Sequence, residues 1–273
     1  MHPVLIKFGL FELRSWGVAF AITTIMGIYV AVKRAPRFGI GKNNVIDFSV
    51  IILLFALIGS RLWYIVFHLE EFRGHWLDTI SPFHNSYFGI AGMSMVGGVL
   101  LAIIGAALFA WQKKLHFVKL GDVLAPSFLL GAGIQRVGGC FLNGCCFGKP
   151  THSFLGIIFP PEGVAGSILP NTPLYPTQLF ASALGFLGFA LILWLEKWHK
   201  FNGYTLWIVL LYYSIDRFVV DQFRYYEQPQ VIGHIGPLTF NVNEILLLIL
   251  FLTSIILWLK GWSESHKMKK AIK

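Results

Sequence analysis

The chain has 273 residues, of which 56% are hydrophobic and only 13% charged, and its mean hydropathy is +0.67. Soluble domains carry about 25% charged residues, so this balance excludes a soluble globular fold and indicates an integral membrane protein. A formal charge of +9 would suggest nucleic acid in a soluble chain; here basic cytoplasmic loops account for it, and no nucleic-acid partner is expected.

A bilayer crossing needs about 20 apolar residues, and seven such runs are present, at 15–33, 46–68, 88–111, 121–143, 177–195, 204–224 and 242–260. The runs are continuous, not alternating, which excludes a transmembrane β-barrel. The first follows Lys7, Glu12 and Arg14 and lacks a small-residue cleavage site, so it reads as a retained helix and not a signal peptide. Residues 69–87 are polar, with Glu70, Glu71 and Arg73 among several aromatics. Residues 144–176 hold Pro150, Pro160, Pro161, Pro170, Pro173 and Pro176, which exclude one long helix and predict an ordered loop region. The basic tail after Trp262 reads as a solvated end near anionic lipid.

Lysine and arginine set the orientation. Lys33, Arg34, Arg37 and Lys42 follow the first run, Lys113, Lys114 and Lys119 the third, Lys197 and Lys200 the fifth, and a lysine-rich tail the seventh. The other side holds only Lys7, Arg14, Arg73 and Lys149 outside the runs. The expectation is an all-α integral membrane protein, one transmembrane domain over residues 1–273 with about seven transmembrane helices. Its N-terminus would face out and its C-terminus the cytoplasm, with a small outer head built from loops 69–87 and 144–176.

Three of the runs contain an arginine: Arg61, Arg136 and Arg217. A charge at the centre of a spanning helix costs roughly 2.5–3.5 kcal/mol, so together they cost on the order of 8–10 kcal/mol unless an anion meets them. Helical rise places each about 20–22 Å from the inner surface, one shared level in the outer half of the bilayer. A lipid phosphate is the anion most available there. The alternative is separate snorkelling, or pairing with buried carboxylates.

Along the sixth run, Tyr213, Arg217, Asp221 and Arg224 fall within about 80° of one helical face. Asp221 can brace Arg217 one turn away, and the Tyr213 hydroxyl can donate to a lipid oxygen. An internal ion pair that only orients the helix is the alternative. Asp216 points away from this face and receives no role. The fourth run ends in GAGIQRVGGCFLNGCCFGKP, whose glycines permit close helix contact and an irregular exit from the membrane. Gln135, Arg136 and Asn143 supply donors for phosphate and ester oxygens.

Cys140, Cys145 and Cys146 form an odd, local cluster without a C-x-x-C motif. Packing or a local polar role is the reading adopted, with no metal and no cofactor, because adjacent cysteines serve one tetrahedral site poorly. Zinc completed by His152, or redox chemistry, is the alternative.

These segments resemble the prolipoprotein diacylglyceryl transferase family. The family's signature is similar to G-R-x-G-N-F-x-N-G-E-x-x-G, and this chain reads QRVGGCFLNGCCFG. PVLIKFGLFELRSWGVAF, IGSRLWYIVFH, GMSMVGG, the stretch GKPTHSFLGIIFPPEG with PLYPTQLFAS, and LLYYSIDRFVVDQFR resemble further family segments in order, over nearly the whole chain. The resemblance implies transfer of the diacylglyceryl group of phosphatidylglycerol to the thiol of a lipobox cysteine, at the outer face of a bacterial inner membrane. The implied partners are phosphatidylglycerol, a prolipoprotein signal peptide and membrane lipid; the acceptor thiol is the nucleophile.

Carried over residue by residue, Arg136, Arg217, Asn143 and Tyr213 would act at the reacting head group, the arginines stabilising charge on the departing glycerol phosphate. Arg61, Gln135, Cys140, Cys145, Gly148, Gln178, Asp221 and Arg224 would bind substrate or support those that do. The chain departs from the pattern at Cys140, where the family has Asn, and at Cys145, where it has Glu. Val96 and Tyr175 replace histidines, Ala181 replaces a glutamate, and one extra residue separates Arg136 from the cysteines, as if Gly138 or Gly139 were inserted. A phospholipid-binding or lipid-moving paralogue without transferase activity is the alternative function.

Overall fold

A computed structural model describes residues 1–8, 11–79, 83–84, 87–88, 92–226, 231–235 and 238–271. Strands β1 (Val4–Phe8) and β2 (Phe11–Arg14) form an antiparallel hairpin leading into α1 (Ser15–Arg34). Helix α2 (Lys42–Phe67) is followed by two 3-10 turns and the short pair β3 (Phe83–His84) and β4 (Tyr87–Phe88). Then come α3 (Met95–Gln112) and α4 (Phe117–Gln135), which continues directly into a π-helix at Arg136–Phe141. Strands β5 (Ile157–Ile158) and β6 (Pro173–Leu174) pair on either side of α5 (Val164–Ile168). Helices α6 (Thr177–Leu195) and α7 (Tyr204–Phe223), the hairpin β7 (Val231–Ile235) and β8 (Leu238–Asn241), and α8 (Val242–Ala271) complete the order.

Among the described residues, six helical segments are long and apolar enough to cross a membrane: Ser15–Phe38, Lys42–Phe67, Met95–Gln112, Phe117–Phe141, Thr177–Trp198 and Asn243–Lys267. The described strands pair only two by two, so no sheet closes. The protein is an all-α integral membrane protein. The remaining expected crossing, α7, is a helix of 20 residues set apart by Asp216, Arg217 and Asp221.

Three boundaries differ from the sequence expectation. The third helix begins at Met95, not at residue 88, because Gly92 has φ +78° and Ser94 is extended, a backbone that cannot continue a helix. The fourth keeps its length but ends in the π turn. The last helix continues to Ala271, carried past Gly261 by Trp258, Trp262 and His266, whose rings meet at centroid separations of 5.2 Å one turn apart. Residues 80–82 and 85–86 of the expected loop 69–87, and Lys273 of the basic tail, lie outside the described residues.

The chain forms two compact units. One comprises Val4–Arg14 and Ile28–Leu120, with α2 and α3 packed together and the Ser94 N–H donating to the Ser60 carbonyl at 2.9 Å. The other comprises Met1–Pro3, Ser15–Gly27 and Gly121–Lys273. In it α4, α6 and α7 share a core of Ala125, Leu129, Ile192 and Val209. Hydroxyls join its helices: Ser127 donates to the Gly27 carbonyl and Ser182 to the Gly133 carbonyl, each at 2.8 Å. Such bonds satisfy polar groups that hydrocarbon would leave bare.

Asp122 fixes where α7 begins. Its fully buried carboxylate accepts the Gly203 and Leu206 N–H groups at 2.6 and 2.8 Å and meets His199 Nε2 at 3.3 Å. It therefore caps the first turn of α7 from a neighbouring helix. The expected loop 144–176 is a small folded head, with Phe147, Phe159, Ala165 and Leu174 buried together. Its strand pair and α5 explain how six prolines fit: they sit outside regular helix except at the turn entering α6.

Candidate active site

The site grows from the end of α4, the segment after it, and the last two turns of α7. In the π turn one extra residue is accommodated per turn, because its hydrogen bonds run i→i+5 and not i→i+4; such turns concentrate at functional sites. Its span, Arg136–Phe141, covers Gly138 and Gly139, where the resemblance implied an extra residue. Asn143 stabilises the exit, its amide nitrogen donating to Ser15 Oγ at 2.9 Å and to the Gly139 carbonyl at 2.6 Å.

Beyond the π turn the backbone twice takes left-handed values, φ +68° at Gly144 and +61° at Cys146. The second is uncommon for a side chain larger than glycine and costs on the order of 1–3 kcal/mol. Contacts hold it in place. Thr177 Oγ1 donates to the Cys146 carbonyl at 2.7 Å and Gln178 Nε2 to the Cys145 carbonyl at 2.8 Å, both from the start of α6. The Sγ atoms of Cys140, Cys145 and Cys146 consequently lie within 4.8 Å of one another. Cys145 donates to the Cys140 carbonyl at 3.6 Å, and Arg136 Nη1 donates to Cys140 Sγ at 3.7 Å. Hydrogen bonds from the Cys140 and Cys145 thiols, with the Arg224 and Arg136 charges, hold the Cys146 thiol well below the ordinary range. The same thiol contacts, with burial, push Cys145 up.

On α7 the expected face is present. Arg217 Nη1 lies 3.1 Å from Asp221 Oδ1, and Arg224 Nη1 is 3.9 Å from the same oxygen. The Asp221 side chain is wholly buried, and it also interacts electrostatically with Arg136. Tyr226 closes the group, its hydroxyl accepting from Arg217 Nη2 and Arg224 Nη1 at 3.4 Å each. Tyr213 packs edge-on against Phe128 at 5.0 Å and lies within the field of Arg136. Arg136, Tyr213, Arg217, Asp221, Arg224 and the cysteines thus form one cluster.

Other expected site residues have different surroundings. The Gln135 amide is buried with neither its oxygen nor its nitrogen partnered, an open donor and acceptor beside Arg136. Gln178 pins the cysteine segment while its Oε1 stays buried and unpartnered. Gly148 is a close-approach position: an added Cβ would lie 2.6 Å from both Tyr175 Cβ and O and 2.7 Å from the Phe223 carbonyl. Its N–H donates to the Tyr175 carbonyl at 2.9 Å, locking the head to α6 and α7. Arg61 belongs to the other unit, where its Nε donates to the Thr79 carbonyl at 2.9 Å and its Nη1 to the Gly92 carbonyl at 3.1 Å. The rings of Tyr64 and Phe72 lie against its guanidinium at 5.9 and 5.3 Å.

Sequence reasoning missed two members. Tyr226 stands beyond the end of α7, where no helical spacing relates it to Arg217. Asp216 was set aside as facing away; its buried Oδ1 has no hydrogen-bond partner, and it interacts electrostatically with both Arg136 and Arg217. Apolar grooves flank α7. One of about 300 Å³ runs between α7 and α8 past Ile215, Phe218, Leu247 and Phe251. Another of about 380 Å³ lies beside Tyr175, Phe180, Val219 and Phe223.

Fold and site together define a polytopic membrane protein with a buried arginine cluster on α7 and α4 and apolar grooves beside α7. The sequence matches the prolipoprotein diacylglyceryl transferase family over residues 3–260. It is 29% identical over 262 residues to a phosphatidylglycerol–prolipoprotein diacylglyceryl transferase 2 of Clostridium perfringens, covering 94% of this chain and 96% of that protein. It is 30% identical over 260 residues to a phosphatidylglycerol–prolipoprotein diacylglyceryl transferase of Fusobacterium nucleatum, covering 82% and 88%. A protein of that name from Bacillus mycoides is 31% identical over 226 residues, covering 82% and 81%. The chain belongs to the prolipoprotein diacylglyceryl transferase family. Its six apolar helices and that family make it a multi-pass protein of a bacterial inner membrane.

Proposed function

We propose that this chain transfers the diacylglyceryl group of phosphatidylglycerol to the thiol of a prolipoprotein cysteine. One observation carries the reading: three guanidiniums, Arg136, Arg217 and Arg224, share the field of two buried carboxylates, Asp216 and Asp221, and among the described residues only Asp221 forms ion pairs with them, to Arg217 and Arg224. Among the described residues Arg136 has no carboxylate within ion-pair distance. A phosphodiester supplies the missing anion, and planar guanidinium forks suit its oxygens.

In this reading the acyl chains lie in the grooves beside α7, and the Gln135 amide meets a head-group or ester oxygen. The acceptor thiolate attacks the glyceryl carbon; Arg136 and Arg217 stabilise the negative charge that grows on the leaving glycerol phosphate. Helix α7 is the seventh crossing, its charges tolerated because they face this cluster. The lysine and arginine distribution supports an outer-leaflet site, with the N-terminus outside and the C-terminus in the cytoplasm.

Cys140 and Cys145 standing in place of the family's Asn and Glu favour a second reading, a lipid-binding paralogue without transfer chemistry. Labelled phosphatidylglycerol and a lipobox peptide separate the two. Label on the peptide, lost in Arg136→Ala and Arg217→Ala variants that still fold, is the expected result. Lipid bound with no label transferred would overturn the transferase reading.

A further inference from the structure

We propose that Cys140, Cys145 and Cys146 bind one zinc ion through three thiolates and leave a fourth position open for the acceptor thiol. The first part rests on geometry. The three Sγ atoms lie within 4.8 Å of one another, while Zn–S bonds of about 2.3 Å place two tetrahedral sulfur ligands about 3.8 Å apart. Small rotations about the side-chain bonds close that difference. Neighbouring cysteines serve one ion poorly on ordinary backbone; here Cys146 is left-handed, with φ +61°, and both sulfurs of the pair lie within the group.

The surroundings are those of a built site. Thr177 and Gln178 hold the two carbonyls of the pair, and Arg136 donates to Cys140 Sγ. Three thiolates with a dication carry one net negative charge, which the Arg136 guanidinium offsets. Sulfur ligands select zinc among the abundant borderline cations, which deprotonates the thiols it binds. Among the described residues no histidine or carboxylate joins the three sulfurs. Three protein ligands and an open position are the arrangement of a catalytic zinc.

The use of that position rests on the transferase reading above. The acceptor thiol binds zinc and releases its proton to solvent; its sulfur then forms the bond to the glyceryl carbon. The carbon–oxygen bond to phosphate breaks, glycerol phosphate leaves with the electron pair, and the thioether dissociates. Zinc thereby does the work of a base at a site where no histidine stands beside the thiols.

The test uses the full chain in detergent, equilibrated with zinc or cobalt(II) and desalted. About one metal per chain is expected, with a thiolate-to-cobalt charge-transfer band, and a loss of at least ten-fold in metal content in Cys146→Ser. Adding a lipobox peptide should shift the cobalt ligand-field bands, and its Cys→Ser analogue should not. Less than about a tenth of a metal per chain, or a disulfide among the three cysteines, overturns the site. Metal bound with no response to the peptide overturns the open position. Label transfer by metal-free protein sinks the zinc proposal and leaves the transferase reading; metal bound and peptide-responsive without transfer supports the site and sinks that reading.

Discussion

Replacing Asp221 by asparagine tests the arginine cluster at its most constrained point. The exchange removes one charge and almost no volume. In the native protein Arg217 lies 3.1 Å from a carboxylate whose side chain is 0% exposed, and Arg217 itself is 14% exposed. With an effective dielectric of about 20, that separation corresponds to about 5 kcal/mol of attraction. Burying the two charges consumes part of it, and removing one partner of such a pair costs about 3–5 kcal/mol. Asparagine retains an acceptor oxygen, so the lower end, about 3 kcal/mol, is expected. For a chain of this length that corresponds to a melting temperature lower by on the order of 6–12 °C. Phosphatidylglycerol gives the released arginines a new anion, so the deficit should narrow in lipid-saturated micelles. Transfer, which needs Arg217 held in place, should fall about 30–150-fold in kcat/KM, the equivalent of about 2–3 kcal/mol. Thermal melts with and without phosphatidylglycerol, beside the peptide-labelling assay, measure all three. An Asp221→Asn protein that melts and transfers like the wild type would refute the bracing argument.

Gly148→Ala forces a methyl group against Tyr175 and the Phe223 carbonyl, and should cost about 1–3 kcal/mol in the thermal melt. Asp122→Ala strips two N–H groups at the start of α7 of their acceptor and should destabilise by about 1–3 kcal/mol, with Asp122→Asn recovering part of the loss. Glu12 lies outside the membrane, and the hydrogen bond from Lys7, aided by Arg14, holds its carboxyl below the ordinary glutamate range. Its contribution to the β1–β2 hairpin is therefore complete above that range and disappears as pH falls through the lowered value. Amide-exchange protection of the hairpin, corrected for the intrinsic rate, should fall as pH drops below the ordinary glutamate range in the wild type, and Glu12→Gln should remove that acid dependence.

Helical periodicity made the α7 face readable from sequence. Arg217, Asp221 and Arg224 follow spacings that a helix converts directly into contacts; the expected Arg217–Asp221 pair is present, and Arg224 joins it. The same reasoning failed for Asp216, because a helix packed in a bundle has neighbours on more than one side and a residue off the chosen face meets another element. Tyr226 was invisible for a different reason: three residues past the helix, its position depends on the path of the chain and not on a repeat. The cysteines were read as a local cluster, but their convergence needs the left-handed backbone at Cys146 and two hydrogen bonds from α6, neither of which has a sequence period. Gly148, expected at the substrate, is also held by backbone packing that no sequence period shows, since a Cβ there would meet Tyr175 and the Phe223 carbonyl.

The π turn gives the extra residue that the resemblance implied near Gly138 and Gly139 a structural place. One residue added to an α-helix rotates everything beyond it by about 100° and advances it by about 1.5 Å. Both flanks of this turn are anchored. Upstream, Ala125 and Leu129 are packed into the α4–α6–α7 core, which sets the face on which Arg136 emerges. Downstream, Asn143 is tied to Ser15, and Gly148 is wedged between Tyr175 and Phe223. A rotation would break one set or the other, so a residue added here would be absorbed between them, and the widened turn at Arg136–Phe141 is where it fits. Glycine at 138 and 139 lets that turn form against Ala19 and the Gln135 side chain, where a Cβ would come within 2.7 and 2.6 Å. Arg136 thereby keeps its place facing α7, and Cys140, at the end of the same turn, is brought to the two cysteines that follow.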